Sequence, residues 1–236
     1  MRAIFKRELQ AYFYTAHAYV YMGVFLMLGS VFFAVGNLAA RSSDLLGFLR
    51  NMSYLWMLLT PVLTMHSYAG ERKARTDQLL LTSPVSLWGI VLGKYLAACA
   101  VLLLTVALSL IYAALIACWG RLYAGELLCG YLGFILQGCA FLALDMYISA
   151  RARTPVTAAV WAFGVNLLLW LMDVVNSAVS FAPAKAVLTF LSPYMRCAPF
   201  QLGQLSFASI LYFLAAIGLT LFLTVRALDA RRWQEA

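Results

Sequence analysis

The residues able to do chemistry are few. The 236-residue chain holds two histidines, His17 and His66, and five cysteines, Cys99, Cys118, Cys129, Cys139 and Cys197. With only two histidines and no paired cysteines a metal site is hard to build, and none is expected. The cysteines show no C-x-x-C pairing and fall mostly in apolar runs, where a thiol packs as a small apolar group; a Cys118–Cys129 bridge stays open. The sequence holds no G-x-x-x-x-G-K phosphate loop, no G-x-S-x-G and no H-E-x-x-H. Neither nucleotide hydrolysis through a phosphate loop nor a serine or zinc hydrolase is therefore expected, and the chain reads as non-catalytic. His66 reads as a packing residue.

Two acids lie within or beside apolar runs, and an acid inside a membrane is a functional candidate by default. Asp145 precedes Arg151 and Arg153 closely enough to be read as a snorkelling carboxylate paired with them. Asp173, near Asn176, reads as a marker of the outer interface. The densest charge lies elsewhere, in Gly70–Ser86 (Gly-Glu-Arg-Lys-Ala-Arg-Thr-Asp-Gln-Leu-Leu-Leu-Thr-Ser-Pro-Val-Ser). Glu71 and Arg75 stand four apart in the order that supports a helical turn. Leu79, Leu80 and Leu81 give the stretch an apolar end, and Ser83-Pro84 offers a cap and a first-turn proline for the next helix. A short helix with charges at one end and leucines at the other suits a groove on a soluble partner.

The elements that must hold these residues are membrane spans. The chain is 64% hydrophobic and only 11% charged, with a mean hydropathy of +0.87; soluble domains carry roughly 25% charged residues. The net charge of +8 comes from short clusters between apolar runs, not from an extended basic face, so no nucleic-acid partner is expected. Ala16-His17-Ala18 resembles a signal-peptidase site, but Lys6, Arg7 and Glu8 precede it where an apolar core would be needed, and no cleaved signal is expected.

The predicted fold is an all-α integral membrane domain over residues 1–236. Residues 1–14 form an amphipathic interfacial helix, with Ile4, Phe5, Leu9, Tyr12 and Phe13 at roughly helical spacing and Lys6, Arg7 and Glu8 between them. Six spans follow at 19–39, 51–68, 87–117, 127–149, 156–173 and 206–225, each long enough for a core of roughly 30 Å. Pro61 should kink the second. The third exceeds one crossing and should tilt or project. Thr154 and Pro155 should start the fifth as cap and first helical residue. Residues 174–205, with three prolines, should form one or two interfacial or re-entrant helices on the far face. Placing both termini inside puts Arg2, Lys6, Arg7, Arg72, Lys73, Arg75, Lys94, Arg151, Arg153, Arg226, Arg231 and Arg232 on the inner side. That is twelve of the 17 cations, so Gly70–Ser86 is expected in the cytoplasm.

Several segments then carry a family resemblance. Pro61-Val-Leu-Thr-Met65, Glu71-Arg-Lys, Thr76, Leu79-Leu-Leu-Thr-Ser-Pro-Val-Ser86 and Val91-Leu-Gly-Lys94 resemble the permease subunits of type-2 ABC transporters. The gliding-motility-associated subgroup is the nearest likeness. Glu8-Leu9, Tyr12-Phe13 and Tyr19 resemble its N-terminal helix; Leu191-Ser-Pro-Tyr194, Phe200, Gly203 and Leu228-Asp-Ala-Arg-Arg-Trp233 resemble its C-terminal third. The likeness extends over essentially the whole chain and lies in order and spacing rather than in one motif. It departs at His66, Arg75 and Gln78, where the family commonly has arginine, glycine and glutamate.

The resemblance implies a six-helix half-transporter of a prokaryotic inner membrane that dimerises with a second copy or a related chain. ATP and magnesium would be bound by a separate ATPase. Coupling to it would fall to Glu71, Arg72, Lys73, Thr76, Gln78, Leu79 and Leu80, together with Lys6, Arg7, Glu8, Tyr12 and Phe13 of the interfacial helix. The alternatives are a haem-exporter-type permease, which shares a loop of leucines followed by Ser-Pro, and a membrane scaffold that recruits a partner without transport.

Overall fold

The computed structural model describes residues 2–76, 86–120, 123–178 and 182–232, and over these it is helical with turns and loops. The helices are α1 (Arg2–Tyr14), α2 (His17–Phe33, continued by a π-helical turn Ala34–Ala39), α3 (Leu45–Thr64), α4 (Ala69–Lys73), α5 (Leu87–Trp119), α6 (Ala124–Arg151), α7 (Pro155–Ala178), α8 (Ala182–Leu191), α9 (Pro193–Gln201) and α10 (Phe207–Arg232). Gln78, Leu79, Leu80, Leu81, Ser83, Pro84, Arg121 and Trp233 lie outside the described residues.

Five helices are long and apolar enough to cross a membrane: His17–Ala39, Leu87–Cys118, Ala124–Arg151, Pro155–Asn176 and Phe207–Arg232. The second of the six expected spans is not among them. In its place α3 begins earlier, where the Asp44 side chain caps the helix by accepting from Gly47 N at 2.8 Å, and it carries Arg50, Asn51, Ser53, Thr60 and Thr64 along its length. Arg50 and Asn51, in its first two turns, are exposed, while the rest of α3 packs on α2, α6 and α7. Ser53, Thr60 and Thr64 are buried; the Ser53 and Thr64 hydroxyls donate to carbonyls one turn back, so the helix satisfies them itself, whereas the Thr60 hydroxyl reaches α6. Pro61 falls in the last turn of α3 rather than in its middle; it helps end the helix before the turn at residues 65–68.

The helices run to and fro between two ends of the bundle. At one end His17, opening α2, sits against His66, just past α3, with ring centroids 4.5 Å apart. At the other, Asn37 donates to the carbonyls of Ser42 and Asp44, which lead into α3. α2 and α3 are therefore antiparallel. Trp88 near the start of α5 lies 6.4 Å from Phe222 near the end of α10, which returns the chain to the first end.

α6 is the hub, packing on α3, α5, α7, α9 and α10. Between spans the lipid is as apolar as leucine, so helices hold together by close packing and polar contacts rather than by escape from water. The glycines of α6 permit that closeness. A Cβ at Gly138 would stand 2.9 Å from Leu102 and 3.0 Å from Trp56, and one at Gly133 would stand 2.4 Å from Phe200. Trp56, fully buried, is held between Phe25 and Phe134 at ring distances of 5.0 and 4.6 Å.

The boundaries of the other elements follow their caps. Ser86, not Ser83, caps α5, accepting from Gly89 N at 3.2 Å. α7 starts at Pro155, with the Thr154 hydroxyl accepting from Thr157 N at 3.3 Å. It runs past Asp173 to Ala178, and α10 runs past Val225 to Arg232. Residues 182–201 form two short helices, α8 and α9, separated by Ser192, which caps the second. The five cysteines are free; Cys99 and Cys139 approach to 3.9 Å between their sulfurs.

Candidate functional site

α1 is built to lie along the start of α5. Its Leu9, Tyr12 and Phe13 pack on the core, the Tyr12 hydroxyl donates to Leu63 O at 3.4 Å, and Lys6 and Arg7 stay exposed. Seven residues into α5, after an otherwise uncharged stretch, comes Lys94, whose side chain is 1% exposed. A buried ammonium is costly unless opposite charges and acceptors surround it. Here they do. Lys94 Nζ lies 2.8 Å from Glu71 Oε1 and 3.2 Å from Glu8 Oε1, donates to Ser67 O at 2.7 Å, and stands 5.2 Å from the centre of the Tyr68 ring.

Arg7 closes the circuit. Its guanidinium lies 2.7 Å from Glu8 and 3.1 Å from Glu71. Arg7, Glu8, Lys94 and Glu71 thus form a neutral ring of alternating charge that fastens α1 to α4 and to the start of α5. The Glu8 carboxylate, as hydrogen-bond acceptor, raises the Arg7 pKa above its ordinary value against the opposing effect of burial.

α4 is gripped from its other side by α6. The Ser149 hydroxyl accepts from Tyr68 N and Ala69 N at 3.4 and 3.3 Å, capping the short helix from outside. Arg72 donates to the carbonyls of Ala150, Arg151 and Ala152, supplying partners to a helix C-terminus that cannot provide its own. Glu71 and Arg72, adjacent in sequence, therefore hold different helices: one the α1–α5 pair, the other α6.

One expectation fails here. The Glu71–Arg75 pair does not form a turn of helix, because α4 ends at Lys73 and Arg75 has a left-handed backbone with φ 56°. Glu71 is drawn instead to Lys94 and Arg7, and its own carbonyl accepts from Thr76 N at 3.0 Å. The left-handed turn at Arg75 explains why glycine suits that position, since a Cβ is penalised there. Lys73 and Thr76 are exposed; a coupling helix running through Gln78–Leu80 lies outside the described residues.

A cleft of about 700 Å³ opens beside the ring between α1 and the 65–76 segment, lined among others by Glu8, Tyr12, His17, His66, Glu71 and Thr76. Burial lowers the His66 pKa, with smaller contributions from His17 and Lys73.

Deeper in the bundle, Asp145 is 1% exposed and faces away from the arginines expected to pair with it. Its carboxylate accepts from the Thr60 hydroxyl at 2.6 Å and from Asn166 Nδ2 at 3.1 and 3.2 Å, joining α3, α6 and α7. Asn166 Nδ2 also lies 3.5 Å from Met57 O, the carbonyl that the missing N–H of Pro61 leaves without its helical donor. The hub position of α6 turns residue 145 toward α3 and α7, whereas a snorkelling carboxylate would have needed it to face the turn at residues 151–154. Asp173 is half-buried on α7 toward the opposite end, and nearby Asn176 bonds Thr189 of α8 at 3.2 Å rather than serving Asp173.

Sequence reasoning named Glu8, Arg7 and Glu71 without bringing them together, and it missed Lys94 as their partner, Ser149 as the cap of α4, and Thr60 and Asn166 as the partners of Asp145. A lone cation inside an apolar helix was the available signal for Lys94. Ser149 and Thr60 gave none, since hydroxyls in spans usually bond their own helix.

Residues 45–224 match the family described as ABC-2 family transporter protein. That range takes in Glu71, Arg72, Lys94 and Asp145 but not α1, which supplies Arg7 and Glu8 to the ring. No curated protein matches the chain.

Proposed function

The chain belongs to the ABC-2 transporter family, a family of multi-pass membrane permeases, and on that premise we propose that it converts the movements of a separate ATPase subunit into movements of its own spans. The observation that carries this reading is the double grip on α4. A force applied to the segment after Glu71 would reach α1 and α5 through the Glu8–Lys94–Glu71 contacts and α6 through Arg72 and Ser149. Close packing around Trp56 and Gly138 would carry it onward to α3, since packed cores shift as units rather than deform locally.

In this reading the ATPase docks in water against α1 and the 70–86 loop, with Glu71, Arg72, Lys73, Thr76, Gln78, Leu79 and Leu80 forming the loop side. ATP and magnesium belong to that partner. α3 is the sixth span, with its buried hydroxyls turned to its neighbours and Arg50 and Asn51 near its Asp44-capped end. The chain works as a dimer of permease halves in a prokaryotic inner membrane with both termini in the cytoplasm, where the clusters of lysine and arginine favour them. The nearest subgroup is the gliding-motility-associated one, and the substrate is either exported or a component of the membrane itself.

Co-expression with an ATPase encoded by a neighbouring gene tests this. The purified chain alone should hydrolyse no ATP, and the complex should. Glu71→Ala, or removal of residues 72–81, should uncouple hydrolysis from the permease or prevent assembly. A complex that assembles and turns over normally without that stretch would refute the reading.

A further inference from the structure

Because Asp145 is committed to Thr60 and Asn166, Arg151 and Arg153 have no ion-pair partner among the described residues. Both are exposed. They line a pocket of about 480 Å³ at the turn between α6 and α7, with Tyr147, Ile148, Trp161 and Val165 among its other walls and no acidic residue in its lining. A pocket of that size is in the range that holds a small ligand.

Its layout follows the membrane. α6 and α7 are two of the five apolar helices, so the turn joining them lies at the membrane surface. The arginines sit at that rim. Trp161, 68% exposed, comes one to two turns deeper, and the exposed face of α7 continues through Val165 to Leu168. From surface to interior the order is cation, aromatic, aliphatic.

The geometry points to a binding site for a single anionic phospholipid, its phosphate held by Arg151 and Arg153 and an acyl chain lying along Ile148, Trp161 and Val165. Guanidinium forks match phosphate oxygens in pairs and are weakly hydrated, which suits a site at the water boundary. Basic pockets between spanning helices take anionic headgroups, and tryptophan is favoured at headgroup depth. A free phosphate would use the arginines and leave the apolar walls bare. An acidic peptide arriving from water would reach the guanidinium groups and not the depth of the pocket. The seat also adjoins the loop clamp: Arg72 holds the carbonyls of Ala150, Arg151 and Ala152, the backbone of the same turn. The site rests on the membrane-spanning reading of α6 and α7 and not on docking of an ATPase.

Native mass spectrometry of the full chain in detergent, titrated with dioleoylphosphatidylglycerol or dioleoylphosphatidylcholine, tests it. The anionic lipid should bind roughly tenfold or more tightly than the neutral one, given the attraction each surface arginine contributes. Arg151→Gln/Arg153→Gln should abolish that preference while melting at the same temperature as the parent. The single Arg153→Gln variant should show an intermediate loss, and Arg226→Gln, at the same end but outside the pocket, should show none. Equal binding of the two lipids, or an unchanged preference in the double variant, overturns the site. So does displacement of the lipid by glycerol 3-phosphate at comparable concentration, since the acyl chains would then contribute nothing. Retained lipid preference with loss of ATPase co-purification would assign the arginines to a protein partner instead.

Discussion

The protein buries ionisable groups in two places and satisfies them by different means. At the loop end, Lys94 is neutralised by the carboxylates of Glu8 and Glu71, contributed by other helices. In the middle of the bundle, Asp145 has no cation beside it among the described residues and is met by a hydroxyl and an amide. The first arrangement reaches the surface, with Arg7 about half exposed. The second is enclosed by three packed helices, where each polar group has few alternatives and an unpaired one is expensive. The contrast separates a charged cluster that fastens surface elements from a neutral-partnered one that fastens spans.

Removing the buried cation should break the first site most severely. Lys94→Met leaves Glu8 and Glu71 sharing Arg7 alone and should destabilise the protein by about 3 kcal/mol, read as a lowered melting temperature in detergent and as loss of hydrogen-exchange protection across α1. If α1 stays protected, the ring does not fasten it. The second site should respond less, and in a graded way. Asp145→Ala strands the Thr60 and Asn166 donors at about 1–3 kcal/mol, whereas Asp145→Asn keeps an acceptor for them and should lie nearer the parent. A larger loss in the asparagine variant than in the alanine variant would mean that the negative charge itself matters.

The strain on α4 offers a smaller effect of opposite sign. Arg75→Gly relieves a left-handed backbone and should raise stability by about 1 kcal/mol, with the Glu71 contacts unchanged. No gain would indicate that the Arg75 side chain makes compensating contacts. The smallest effect concerns pH. Burial, then His17 and Lys73, lower the His66 pKa, so the unfolded chain takes up this proton more readily than the native one. Its contribution to stability is present above the ordinary histidine value of about 6.5 and is lost as pH falls below it. Melting curves between pH 8 and pH 5 should show this decline, and His66→Gln should remove that component.

Much of the architecture is legible without coordinates because a bilayer imposes a simple rule: long apolar runs span, and charge collects between them. That rule places α2, α5, α6, α7 and α10, and the capping chemistry at Thr154-Pro155 marks the start of α7 to the residue. It places α3 only from residue 51, because Arg50 and Asn51 interrupt the apolar run that continues back to the Asp44 cap. Nor does it show where α4 stops, since a favourable Glu71–Arg75 spacing competes with a stronger attraction of Glu71 to Lys94, about 23 residues away.

The sequence by itself thus determined that this is a helical membrane protein and that Glu71, Arg72 and the acids near the spans stand out. Only the tertiary structure decided what each charge faces. Residues 8, 71 and 94 meet because α1 folds back over α5 and the turn after α3 falls beside them. Asp145 turns from its sequence neighbours Arg151 and Arg153 because the hub position of α6 presents it to α3 and α7. Spacing along a chain fixes which residues share a helix face, but in an interior where Coulomb attraction and unmet hydrogen bonds are both large, the pairing goes to whichever partner packing brings within reach.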